Sequence, residues 1–136
     1  MKKKYLVFLC LMTMVFVTAC GNKNKDVKKE DLKEYVIEDS KQFDVMEIKY
    51  NGKVYRPFAA ADPSDADKII GYYKQDGEYN SVYTLKDTKS DNWIVDVMSD
   101  VNEEPKGHSM GFIWKEINEK NIPKGIEVDP EYKKWN

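Results

Sequence analysis

Cysteine and histidine are nearly missing from this chain: 136 residues carry two cysteines and one histidine. Cys10 lies inside an apolar N-terminal run and Cys20 just after it. Loss of that run on export leaves Cys20 alone, so no intramolecular disulfide can staple the mature protein. With His108 as the sole imidazole, Ser-His-Asp and Cys-His hydrolase arrangements lack their usual base. Its neighbours, Ser109 and Met110, fit neither a nucleophile elbow nor an H-E-x-x-H zinc pair. No basic stripe interleaved with aromatics is present, which argues against a nucleic-acid partner. Long hydrophobic runs are also absent. The longest, Tyr5 to Val17 with only Thr13 polar, is about 13 residues, too short for a helix to span a hydrocarbon core roughly 30 Å thick.

What the N-terminus does contain is Lys2, Lys3 and Lys4 ahead of that apolar run, and no acid before Asp26. This is the charged and apolar pair of regions of a secretory signal, which exports a chain without anchoring it. Val17, Thr18, Ala19 and Cys20, followed by Gly21 and Asn22, resemble the lipobox of bacterial lipoproteins. The resemblance implies a signal peptide over residues 1–19 and acyl chains such as palmitate on Cys20. The mature protein would then sit at the extracytoplasmic face of the cell membrane. More than one acyl chain gives durable attachment where a single chain is marginal. Removing residues 1–19 takes three lysines and no acids, so the formal charge moves from −2 to −5.

Residues 20–40 read as the lipidated cysteine and a polar tether, with lysines and acids alternating through Glu34; about 20 flexible residues reach roughly 25 Å. Leu32, Tyr35 and Val36 have the spacing of a short helix that docks on the domain. Residues 41–136 are expected to form one small domain, mainly β within the α+β class: a twisted antiparallel sheet made of a hairpin and a meander, with one or two short helices. The hairpin is Met46 to Phe58, where Met46, Ile48 and Tyr50 alternate with polar residues up to Asn51-Gly52. Both residues of that pair accept the positive φ of a two-residue turn. Such a loop sets Ile48 opposite Tyr55 and Glu47 opposite Arg56, which gives Arg56 a structural role. Asp62, Pro63 and Asp65 predict a capped helical turn reaching Lys68. The meander is Ile69 to Lys74, Val82 to Lys86 and Trp93 to Val97, its first turn at Asp76-Gly77. Met98 to Met110 is an irregular loop, Phe112 to Ile117 fits either strand or helix, Gly125 to Val128 reads as a last short strand, and Asp129-Pro130-Glu131 opens a capped turn ending in Trp135.

Candidate sites are few. Asp62, Asp65 and Asp67 lack the Gly and Glu that a calcium loop uses, so a cap is the better reading. His108 and Met110 with Met98 have copper-binding chemistry, set against the commoner roles of methionine as gap filler and of a lone histidine as an exposed residue. Asp96 is the one acid within an apolar run, and alternation predicts that it points outward or pairs with a lysine. No metal, cofactor or catalytic residue is expected, and an enzyme is the weaker hypothesis. Most aromatics must be core in a small domain without disulfides. Tyr72 and Tyr73 are adjacent, so one of them faces out of a strand. These two, with Trp93 and Trp114, form the expected ligand-binding surface.

Ile48-Lys49-Tyr50-Asn51-Gly52-Lys53-Val54-Tyr55, Gly71-Tyr72, and Gly125-Ile126-Glu127-Val128-Asp129-Pro130-Glu131-Tyr132-Lys133 together resemble the lantibiotic immunity lipoproteins of the nisin and subtilin type, from Gram-positive producers. These stretches cover about a sixth of the mature chain, and Lys74 to Lys124 finds no counterpart. The resemblance implies a twisted antiparallel sheet and a non-enzymatic role: binding or screening a cationic antimicrobial peptide at the membrane, often beside an ABC transporter. An acidic, lipid-held domain, expected as a monomer, is compatible with that role. The alternative is an accessory lipoprotein that binds a sugar or peptide or assists a transporter.

Overall fold

The computed structural model describes residues 28–99 and 111–136. Cys20 and the lipobox, and His108 and Met110, lie outside the described residues. Eight strands run in chain order: β1 Lys33–Glu34, β2 Val36–Asp39, β3 Met46–Tyr50, β4 Lys53–Ala60, β5 Ala66–Gln75, β6 Glu78–Leu85, β7 Trp93–Val97 and β8 Phe112–Glu116. They form one sheet of order β1-β5-β6-β7-β8-β4-β3-β2. The two outermost strands, β1 and β2, are separated in the chain by Tyr35 alone. One extended segment therefore pairs with β5 through its first half and with β3 through its second. This crossing brings the two ends of the sheet together into a nearly closed barrel. The β1–β5 pairing is parallel, and the other pairings are antiparallel. Helix among the described residues is confined to 3-10 turns at Lys29–Asp31, Pro63–Asp65 and Pro130–Trp135. The domain is mainly β.

Local chemistry accounts for the turns. Asn51 and Gly52 have φ of 48° and 82°, and Asp76 and Gly77 have 53° and 83°. Both pairs thus close two-residue hairpins whose twist matches that of the strands. The β3–β4 register sets Ile48 opposite Tyr55, and Arg56 Nε donates to Glu47 Oε2 at 2.8 Å, as the alternation predicts. Arg56 also lies over the Phe43 ring at 4.8 Å. At the Pro63 turn the Asp62 N–H donates to Asp65 Oδ2 at 2.8 Å. The turn ends at Asp65 and not at Lys68, because Ala66 already pairs with Leu85 in β5–β6. The expected helix around Leu32 to Val36 gives way to β1 and β2, so folded structure begins before residue 41. Tyr35 is the reason: its side chain is 3% exposed inside the barrel and its N–H donates to Tyr72 O at 2.8 Å.

Alternation along β7 divides the core in two. Ile94 faces the barrel interior with Tyr35, Ile48, Tyr55, Val82 and Trp114. Trp93, Val95 and Val97 face the other side with Phe58, Leu85 and Ile113, where Ile126 and Val128 pack over them. Phe58 meets Trp93 edge-on at 4.9 Å. Gly125 to Val128 is not a strand. Both edges of β4 are already taken by β3 and β8, so the C-terminal segment crosses the face instead of joining the ladder. It is fastened by the Asp129 N–H donating to Phe58 O at 2.9 Å and by Asp129 Oδ2 accepting from the Ala60 N–H at 2.8 Å.

Gly71 makes the barrel crossing possible. A Cβ there would overlap the Lys33 carbonyl oxygen and the Tyr35 ring. Gly71→Ala is expected to cost about 1–3 kcal/mol of stability, the usual range for overpacking. Hydrogen exchange should show the loss concentrated at the Tyr35 amide. Unchanged exchange there would contradict this account of the closure.

Candidate functional site

At the end of the barrel that carries the Asp76-Gly77 turn, the interior opens into a pocket of about 400 Å³. Strand alternation supplies its walls: Ile37 from β2, Met46 from β3, Tyr73 and Gln75 from β5, Asn80 from β6, and Phe112 and Trp114 from β8, with Met98 and Tyr132 at the rim. Phe112 sits edge-on between Trp114, at 6.2 Å, and Tyr132, at 5.9 Å.

Asp96 forms the floor. It points inward on the same face of β7 as Ile94, contrary to the expected outward orientation, and is 5% exposed. Among the described residues its carboxylate meets no lysine and accepts three hydrogen bonds: from Tyr73 Oη to Oδ2 at 2.6 Å, and from Trp114 Nε1 at 2.7 Å and the Phe112 N–H at 2.8 Å, both to Oδ1. Burial pushes the Asp96 carboxyl above the usual carboxylate range, while these donors pull it back. Burial, with the neighbouring Asp96 charge, likewise raises the Tyr73 hydroxyl. The arrangement links β5, β7 and β8 through one side chain. Beside it, the carboxamides of Asn80 and Gln75 make no hydrogen bond to another described residue, leaving donors and acceptors facing the pocket.

Of the four aromatics expected on one binding surface, the barrel brings two together. Tyr73 and Trp114 are 4% and 3% exposed, and both hold Asp96 at the pocket floor. Tyr72 points out of the barrel, half-buried, with its ring against Tyr79 at 5.6 Å. Trp93 lies in the other core, at the edge of a separate depression with Ile122 and Lys124. Asn80, Gln75, Met46 and Ile37 carry no motif in the sequence. Only their inward phase and their position at one barrel end assemble them.

The arrangement can hold an apolar or aromatic group against the packed rings of Phe112, Trp114 and Tyr132, and offers a cation the buried carboxylate beneath. No three His, Cys, Asp or Glu side chains gather as metal ligands among the described residues. No helix among them is long and apolar enough to cross a membrane. Comparison of the chain with protein-family models, curated proteins and solved structures finds no match.

Proposed function

We propose that the mature protein is a non-enzymatic lipoprotein, held through Cys20 at the extracytoplasmic face of the cell membrane, which binds a cationic antimicrobial peptide in self-immunity of the lantibiotic type. The observation that carries this reading is the pocket: an aromatic and aliphatic cleft over a buried carboxylate. Its volume suits one or two side chains of a larger ligand. Asp39, Asp76 and Glu78 are exposed around the same end of the barrel and add long-range attraction for a basic ligand. The lipid on Cys20 raises the local concentration of this pocket where such a peptide acts. A dedicated ABC transporter is the partner that the family resemblance proposes.

The accessory-lipoprotein reading is favoured by one feature of the same pocket. The carboxamides of Asn80 and Gln75, without a hydrogen bond to another described residue, give the pocket beside Trp114 and Tyr132 the mixed polar and aromatic character that suits a sugar. Two measurements separate the readings. Cells producing the protein should tolerate a cationic lantibiotic better than cells producing Cys20→Ala. The purified domain should bind that peptide and not neutral oligosaccharides. Equal sensitivity of the two strains across a panel of cationic peptides would sink the immunity reading.

A further inference from the structure

Pairing between β1 and β5 stops at Tyr72, although β5 continues to Gln75. Beyond Tyr72 the crossing segment turns away to pair with β3, with Val36 opposite Lys49 and Asp39 opposite Met46. A seam without a ladder is left between β2 and the last residues of β5, directly beside the pocket walls Ile37, Tyr73 and Gln75. The antiparallel ladder to β6 fixes which backbone groups face it. Gln75 and Glu78 flank the two-residue turn and pair with each other, so the N–H and C=O of Lys74, one residue back, point away from β6. The Tyr72 carbonyl, in the same phase, accepts from the Tyr35 N–H at 2.8 Å. The next N–H in that phase, at Lys74, has no backbone acceptor among the described residues.

We propose that this seam takes an extended cationic peptide segment as an added strand, hydrogen-bonded to Lys74 of β5, with alternate basic side chains entering the pocket mouth above Asp96. Strand addition supplies affinity through main-chain bonds and selectivity through pockets for every second side chain, and here both halves lie at one barrel end. Charge fixes the partner's sign. Asp39 and Glu78 share the inward phase of Ile37 and Asn80 and stand at the pocket mouth beside the Asp76 turn, so the inserted side chains are the basic ones, whereas the exposed Lys74 on the outer phase disfavours basic residues between them. This rests on the peptide-binding reading above and specifies its geometry.

The test uses the lipid-free mature chain and a synthetic Lys-Val-Lys-Val-Lys peptide, titrated by isothermal calorimetry beside the same peptide with its internal amides N-methylated. N-methylation keeps charge and side chains but removes the donors a strand needs. Binding should weaken roughly tenfold or more, the equivalent of one or two main-chain hydrogen bonds. Lys74→Pro, which removes a donor that β6 does not use, should weaken the unmethylated peptide by a similar factor, whereas Lys74→Ala should leave it within about twofold. Equal binding of the two peptides would overturn the strand geometry while leaving the pocket as a peptide site. Binding of a cationic lantibiotic but of neither synthetic peptide would also overturn it. Failure of all three ligands would remove the peptide-binding reading itself.

Discussion

Asp96→Ala is expected to destabilise the domain by roughly 3–5 kcal/mol, because it strands three buried donors at once and each uncompensated polar group costs about 1–3 kcal/mol. Tyr73 Oη, Trp114 Nε1 and the Phe112 N–H lose their common acceptor, and water from the pocket can replace only part of it. Against a total stability of about 5–15 kcal/mol for a domain of this kind, the variant stands close to unfolding at growth temperature. Asp96→Asn should lose much less. Its carbonyl oxygen still accepts from Trp114 and Phe112, and the Tyr73 hydroxyl can rotate to accept from the new amide. Urea denaturation followed by tryptophan fluorescence measures both. Equal losses in the two variants would show that charge at Asp96, and not hydrogen-bond acceptance, dominates.

The same pair of proteins tests the electrostatics. Burial lifts the folded-state carboxyl of Asp96 above its unfolded value, so its contribution to stability is complete below the unfolded carboxylate range and is lost as pH rises through the folded pKa. The stability advantage of the wild type over Asp96→Asn should therefore shrink as pH is raised from mildly acidic to neutral. An advantage that grows with pH would mean that the three donors outweigh desolvation.

Gly111→Ala has the second large effect. A Cβ at Gly111 would overlap the Asp96 carbonyl oxygen and crowd the carbonyl carbon and the Val97 Cα. All three belong to the backbone of β7, a strand buried on both faces, and no side chain can swing aside to relieve the overlap. The entry to β8 must move away from β7, and with it the Phe112 N–H that holds Asp96 and the Ala61 N–H bond to Gly111 O at 3.0 Å. A loss of about 3 kcal/mol or more is expected, at or above the upper end of overpacking costs. Thermal unfolding of Gly111→Ala beside Gly71→Ala provides the comparison. The Gly111 variant should melt lower, because the Gly71 overlap falls partly on the Tyr35 ring at a two-residue pairing near the open seam. The reverse order would contradict this ranking.

Much of the β architecture was legible in the residues, and for a local reason. The Asn51-Gly52 and Asp76-Gly77 turns need positive φ over two residues, and alternation on either side fixes the strand phase, so Ile48 opposite Tyr55 and the Glu47–Arg56 pair follow from spacing alone. Capping chemistry at Asp62-Pro63 is equally local, whereas at Asp129-Pro130 the turn forms but the Asp129 carboxylate accepts from the distant Ala60 N–H and caps nothing. Where the periodicity was ambiguous, at Phe112 to Ile117, pairing decided: β7 and β4 flank the segment, so it is a strand. Ile113 joins the outer core while Phe112 and Trp114 turn to the pocket. Spacing misled where a residue's surroundings are distant in the chain. Leu32, Tyr35 and Val36 have helical spacing, yet Tyr35 is drawn into the barrel by partners near residue 72. Asp96 looked like an outward acid because alternation specifies two faces without saying that both are covered.

The sequence by itself determined the turns, the strand phases and the mainly β character, since each depends on the conformational preferences of a few neighbouring residues. It also carries the Cys20 motif on which the proposed membrane attachment rests. Tertiary structure alone decided that one segment closes the two ends of the sheet, that the C-terminal segment covers a face instead of extending the ladder, and that Tyr73, Asp96 and Trp114 meet. Those outcomes depend on which sheet edges are already occupied and on three donors converging from strands 16 to 23 residues away, relations that no window along the chain contains.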